Sequence, residues 1–238
     1  MTKDSLGDRM KDYYENAFKH KLPMRMPVIM RVDGKAFHSF TRGFAAFDTY
    51  FIKSMQRTAQ YLWKNIATAQ IAYVQSDEIS LLLHNYKRLE TQAWFDNELQ
   101  KLCSITAGYA SSFMSLEYSR PAIFDCRAFV LPEAEVTNYF LWRQQDATRN
   151  SVQMLAQSMH SHKELHKKNN SELQEMCFQK GANWNDLPTT HRRGSCIVKV
   201  PMPNPYVLDG NRMEWAIDDE IPIFSADRNY IDRHLQVD

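Results

Sequence analysis

Two hydrophobic periods alternate along the chain. Around residues 27–32 (PVIMRV), 69–76, 79–84 and 122–131 (AIFDCRAFVL), apolar and β-branched residues run together or alternate, as in strands buried on at least one face. Phe51, Met55, Ala59, Leu62 and Ile66 recur instead at three- and four-residue spacing, the stripe of an amphipathic helix that Asp48 is placed to cap. A first helix is predicted over about 5–18, another amphipathic helix over about 92–115, and a helical pattern from Glu133 to about 159. A shorter helix near 171–180 is stopped by Gly181, and SCIVKV (195–200) and RMEWAI (212–217) read as late strands.

From 27 to 131 the order is therefore strand, helix, strand, strand, helix, strand. That is the split βαβ arrangement of ferredoxin-like antiparallel sheets. The predicted fold class is α+β: a single unit over 1–238 with a core at about 27–131. A mainly helical C-terminal half, about 133–238, packs on that core and carries the two late strands.

Composition narrows the class of protein. A hydrophobic fraction of 44% over 238 residues supports a real core. A net charge of +1 carries no global signature of a nucleic-acid binder, but HSHKELHKK (160–168) and His191-Arg192-Arg193 are locally basic. No run approaches the roughly 20 apolar residues that span a bilayer, and the N-terminal MTKDSLGDRMKDYYE is too polar for a secretory signal. Cys103, Cys126, Cys177 and Cys196 lie far apart with no C-x-x-C pair, which fits reduced thiols in a cytoplasmic protein. His162 and His166 have a zinc-like i, i+4 spacing, but Ser161 and Glu164 around them read as a capping box at a basic helix start. No G-x-x-x-x-G-K-[ST] loop is present.

The chemistry is concentrated in YVQSDEISLLL (73–83), where Asp77 and Glu78 interrupt an otherwise strand-like run. Burying an unpaired charge costs several kcal/mol, on the order expected for an ion after relaxation, so these acids require a cation. The topology can set the first strand beside the central hairpin. Asp33, just past that strand, then converges with Asp77 at one sheet edge. Two carboxylates with a backbone carbonyl such as that of Gly34 make an oxygen-only site suited to Mg²⁺, which is usually completed by the phosphates of a nucleoside triphosphate. The predicted cation is therefore a metal, although an ordinary D-G turn and an ordinary hairpin tip would leave the same residues.

RVDGKAFHSF (31–40), QSDEISLLL (75–83), FDCRAFVLP (124–132) and YFLWRQQDATRNS (139–151) together resemble the tRNA(His) guanylyltransferase superfamily. The resemblance implies a polymerase-type palm, two Mg²⁺ ions, and 3′-to-5′ nucleotide addition at the 5′ end of a tRNA with ATP, GTP and other nucleoside triphosphates as substrates. It makes Asp33, Asp77 and Glu78 the catalytic acids, Asp33, Gly34 and Asp77 the metal ligands, and Arg31, Lys35, Ala36, Phe37, His38, Asp48 and Ser76 the nucleotide contacts. Family members tend to be homotetramers. Arg143, Arg149, Asn150, Lys163, Lys167, Arg192 and Arg193 are the candidate RNA contacts, as basic or polar groups that track phosphates.

The last block departs from the family. Eukaryotic tRNA(His) enzymes carry W-R-Q-x-D-x-H-I-N-N there, with the His used in tRNA recognition. Here Trp142, Arg143, Gln144, Asp146 and Asn150 match, but the His position is Thr148 and Arg149 replaces an apolar residue. This places the chain with the guanylyltransferase-like branch, linked to template-dependent repair of 5′-truncated tRNAs. Three alternatives stand beside it: a strict tRNA(His) guanylyltransferase adding G at position −1, a nucleotide cyclase on the same palm, and a non-catalytic RNA-binding protein with a relic palm.

Overall fold

Strand β1 (Val28–Gly34) shows how the chain is sorted into two layers around one sheet. Val28, Met30 and Val32 point into a core shared with the helices on one face, while Ile29 points into a second core on the other. On that second face the strand then changes from apolar to charged, with Arg31 and Asp33. The period of two thus delivers the charged residues to the end of a strand whose opposite face is fully apolar.

The computed structural model describes residues 5–203 and 211–236. Helix α1 (Ser5–Met10) continues through a π turn and a 3₁₀ turn to Phe18, with no buried residue. A short α2 (Phe37–Phe40) follows β1, and α3 (Thr49–Asn65) begins at Asp48, whose side chain accepts a hydrogen bond from the Phe51 N–H at 2.7 Å, the expected cap. Strands β2 (Ala69–Gln75) and β3 (Glu78–Leu83) form the hairpin. Helix α4 (Leu99–Tyr118) starts about seven residues later than predicted. Phe95, Asp96 and Asn97 hold positive φ there and break the helical path. Strand β4 (Phe124–Val130) and the long α5 (Glu133–Met159) come next. After them lie α6 (His162–Leu165), α7 (Asn170–Gln179), α8 (Thr189–Arg193), β5 (Ser195–Pro203), β6 (Asn211–Asp218) and α9 (Asn229–Asp232).

The antiparallel sheet runs β4-β1-β3-β2-β5-β6. Its first four strands carry the order that the split βαβ reading required, with β1 beside β3, and the two late strands extend the same sheet beyond β2. Helices α3 and α4 cover one face, and α5 with the C-terminal residues Ile221, Phe224 and Ile231 covers the other. Ser161 and Glu164 form the expected capping box at α6. All four cysteines are free. Among the described residues no helix is long and apolar enough to cross a membrane.

Candidate functional site

The hairpin between β2 and β3 turns in two residues, Ser76 and Asp77. Such a turn needs a positive φ at its first position, where glycine is preferred, and Ser76 adopts it at φ 47°. The turn aims Asp77 at the end of β1. The Gly34 N–H donates to the Asp77 carbonyl at 3.1 Å, and Asp33 stands in register with Glu78. Burial, and then the nearby Asp33 charge, push the Asp77 carboxyl above its ordinary range. Neither Asp33 nor Asp77 has an ion-pair partner within 4 Å among the described residues. Two mutually repelling carboxylates without a protein cation match the donor set of a hard divalent ion such as Mg²⁺, which takes one or two protein carboxylates and leaves the remaining positions to water and phosphate. Among the described residues no group of three or more His, Cys, Asp or Glu is arranged to hold a metal by itself.

Glu78 is a correction to the sequence reading. It is not a free acid: its two oxygens accept hydrogen bonds from Arg143 Nε at 2.8 Å and Nη2 at 2.7 Å. Both side chains are almost fully buried. The cation that Glu78 required is a guanidinium, not a metal. Arg143, expected to grip RNA, is corrected for the same reason, since its fork is spent inside the protein on Glu78 and on Asp146 at 2.9 Å. Burial opposes the Arg143 charge, but the bonds from Glu78 outweigh it and hold the guanidinium above its usual range. Asp146 in turn accepts from Arg149 Nη2 at 2.7 Å, so a charge chain leads from the hairpin to the surface. Gln144 is also internal, donating to the Pro222 carbonyl and accepting from the Phe224 N–H.

Next to Asp77 opens a cavity of about 680 Å³. Of the expected nucleotide contacts, Ala36, Phe37, His38, Asp48 and Ser76 line it, together with Gly34 and Asp77. Arg31 and Lys35 do not; Arg31 lies 4.0 Å from Glu78 on the α5 face and Lys35 is exposed. Asp33 is not among the lining residues, although its neighbour Gly34 is. Three lining residues other than glycine are held in the left-handed region, Ala36 (φ 56°), Phe47 (φ 55°) and Ser76. Strain of this kind costs on the order of 1–3 kcal/mol per residue and collects where a ligand dictates the backbone. Gly34 permits the wall to close, because a Cβ there would run into the Phe37 ring.

Several lining groups escaped the sequence reading. Ala147, Ser151, Met154, Gln157 and Ser158, with the already named Asn150 among them, present one face of α5 to the cavity, at helical spacing. A small and polar stripe in place of an apolar one was the available signal. Phe47 stacks on His191 with ring centroids 4.8 Å apart, which moves that residue from a basic triplet to a cavity wall. Of the candidate RNA contacts, Asn150 and Arg193 line this cavity. Arg149, Arg192 and Arg193 line a second one of about 500 Å³ beside Trp184, a residue given no role, and Thr148 lies there too. Lys163 and Lys167 are exposed near α6 and line neither cavity.

Comparison with known proteins agrees with this geometry. The family model described as tRNAHis guanylyltransferase matches residues 7–132. A probable tRNA(His) guanylyltransferase of Dictyostelium discoideum is 28% identical, the match covering 74% of this chain and 76% of that protein. A bacterial tRNA(His) guanylyltransferase-like protein solved in complex with ATP is 45% identical and superposes with a TM-score of 0.89, over 98% of this chain and 100% of the other. A bacterial protein of the same description, in complex with GTP, is 44% identical with a TM-score of 0.86 over 98% and 99%.

Proposed function

The chain belongs to the tRNA(His) guanylyltransferase family and is a nucleotidyltransferase, and on that premise we propose that it extends the 5′ end of tRNA in the 3′-to-5′ direction, choosing each nucleotide by pairing with the opposite strand. The carrying observation is the neighbouring pair Asp33 and Asp77, without an ion-pair partner among the described residues, with Asp77 lining a nucleotide-sized cavity. A nucleoside triphosphate occupies that cavity, as the ATP and GTP complexes of the bacterial relatives support. Its base lies among Phe44, Phe47 and Met154, and the α5 polar stripe reads its edge. Asp33, Asp77 and the Gly34 carbonyl would hold Mg²⁺, which would supply neutralisation of phosphate charge and activation of the attacking oxygen. ATP adenylylates a 5′-monophosphate, and the 3′-hydroxyl of the incoming nucleotide then displaces AMP. A 5′-triphosphorylated end skips the activation.

Thr148 supports the templated reading. It stands where the resemblance puts the recognition His of the strict enzymes and lacks that ring and charge, so base pairing to the opposite strand can supply the selection instead. The reaction fits the cytoplasm, where the four free thiols are stable. The test is single-turnover incorporation on tRNAs lacking their first 5′ nucleotide and differing only at the opposing base. The expected result is C opposite G as readily as G opposite C, with an intact tRNA extended less well. Addition of G alone, whatever lies opposite, refutes the templated reading.

A further inference from the structure

Three residues of the W-R-Q-Q-D block, Arg143, Gln144 and Asp146, bond within the protein, while Gln145 is exposed. Trp142 is also exposed, at 47%. Its contacts fix where the ring stands. It packs edge-on to Tyr139 with centroids 5.9 Å apart, and Tyr139 packs on Phe129 of β4 and shares a hydrogen bond with Ser80. The Arg143 guanidinium lies 4.4 Å from the Trp142 centroid. The ring is thus propped on a buried ion pair and a buried tyrosine, above the β4 side of the sheet and level with Glu78.

That position is the flank opposite the nucleotide cavity, whose lining includes Asp77 but no residue of β4 and not Trp142. On the same flank Arg127 reaches its neighbour Asp125 only at 4.0 Å. Arg31 of β1 and Arg127 of β4 are directly opposed in register, an arrangement of like charges that is unfavourable by itself. Glu78 spends its close contacts on Arg143 and reaches Arg31 only at 4.0 Å, and the Arg31 Nε is buried with no hydrogen-bond partner. In an in-line displacement the attacking and leaving groups lie on opposite sides of the phosphorus. With the incoming nucleotide attacking from the cavity, the displaced AMP departs on the far side, and the β4 flank is the side of the acids left clear of the cavity lining for the 5′ end.

We propose that Trp142 is the platform on which the terminal base of the RNA acceptor end stacks, with Arg31 and Arg127 facing its 5′ phosphate. The inference rests on the proposed function and names the substrate surface of that site. An exposed ring held rigid by its neighbours suits this use, because every base offers a π-face and templated addition requires a stack indifferent to sequence.

The test compares wild type, Trp142→Ala, Trp142→Phe and Trp142→Leu in the full chain. It measures the affinity for a 5′-truncated tRNA, the affinity for GTP, and the sedimented mass. Trp142→Ala is expected to weaken RNA binding by roughly 5- to 150-fold, the ratio for losing one base–aromatic stack. GTP affinity stays within about twofold, and Trp142→Phe recovers most of the loss. Trp142→Leu keeps apolar area without a π-face and should fail like alanine, so the comparison survives poor folding of one variant. Arg127→Ala should lower the salt slope of RNA binding by about one. RNA affinity unchanged in both Trp142→Ala and Trp142→Leu overturns the platform, and a changed sedimented mass in those variants would then assign the ring to contact with a second copy. If wild type adds no nucleotide while Trp142→Ala still loses RNA, the proposed function fails and the platform stands.

Discussion

The Glu78–Arg143 pair invites a direct measurement, because its two members were expected to do separate work. In Arg143→Met the guanidinium is removed while most of the apolar stem remains. Glu78, whose side chain is 5% exposed, then keeps its charge without the two bonds at 2.7 and 2.8 Å. Breaking a buried pair from one side costs about 3–5 kcal/mol, which for a chain of this size lowers the melting temperature by roughly 6–20 °C. The sign of the pH dependence follows from Glu78. Burial already pushes its carboxyl up, against the pull of Arg143. An acid with a raised folded-state pKa contributes less stability as pH rises through that value. Without Arg143 the pKa rises further, so the variant's deficit is full at neutral pH and shrinks as pH falls through the carboxylate range. Urea unfolding of wild type, Arg143→Met, Glu78→Gln and the double variant between pH 4 and 8 reads this. The double variant should be more stable than Arg143→Met alone, since it has no stranded charge. A loss below about 1 kcal/mol in Arg143→Met, or strict additivity in the cycle, refutes the assignment.

Two further outcomes follow from the site. Asp77→Asn should abolish nucleotidyl transfer yet melt higher than wild type in metal-free buffer at neutral pH, because it removes a carboxylate pushed up by burial and by Asp33; the advantage should fade as pH falls through the raised pKa, and scanning fluorimetry with a parallel incorporation assay checks both halves. Gly34→Ala forces a methyl against the Phe37 ring on the cavity wall and should cost about 1–3 kcal/mol, so an unchanged melting temperature would show that Phe37 moves freely.

The fold was legible wherever the hydrophobic period was clean. Asp48 caps α3 as its stripe required, Glu133–Met159 forms one helix as its pattern required, and the four core strands pair in the split βαβ order. The start of α4 was not legible, because three consecutive left-handed residues with ordinary side chains leave no mark in a propensity pattern. The site was legible by halves. The acids were singled out from a local motif, and of the contacts that the resemblance implied, Ala36, Phe37, His38, Asp48 and Ser76 line one cavity. The α5 stripe and the Phe47–His191 stack were missed because both depend on elements distant in sequence meeting across the cavity. Arg143 was misplaced for a related reason. A basic residue on a helix reads as surface until its partner is known, and that partner lies 65 residues away.

Why two adjacent acids take different partners is an electrostatic question. Asp33, Asp77 and Glu78 converge where β1 meets the hairpin, and three carboxylates with no protein cation would raise one another's pKa values until one took a proton. Arg143 cancels one of the three. A formal charge of −2 remains on Asp33 and Asp77, which one divalent cation neutralises. A second divalent ion would bring a charge of +2 that these two side chains could not offset, whereas the several negative charges of a triphosphate could. On the proposed reading, a second metal would therefore be held by the nucleotide's phosphates as much as by Asp33 and Asp77. Glu78 and Arg143 set that balance without touching substrate, by fixing how much charge the protein itself leaves uncompensated.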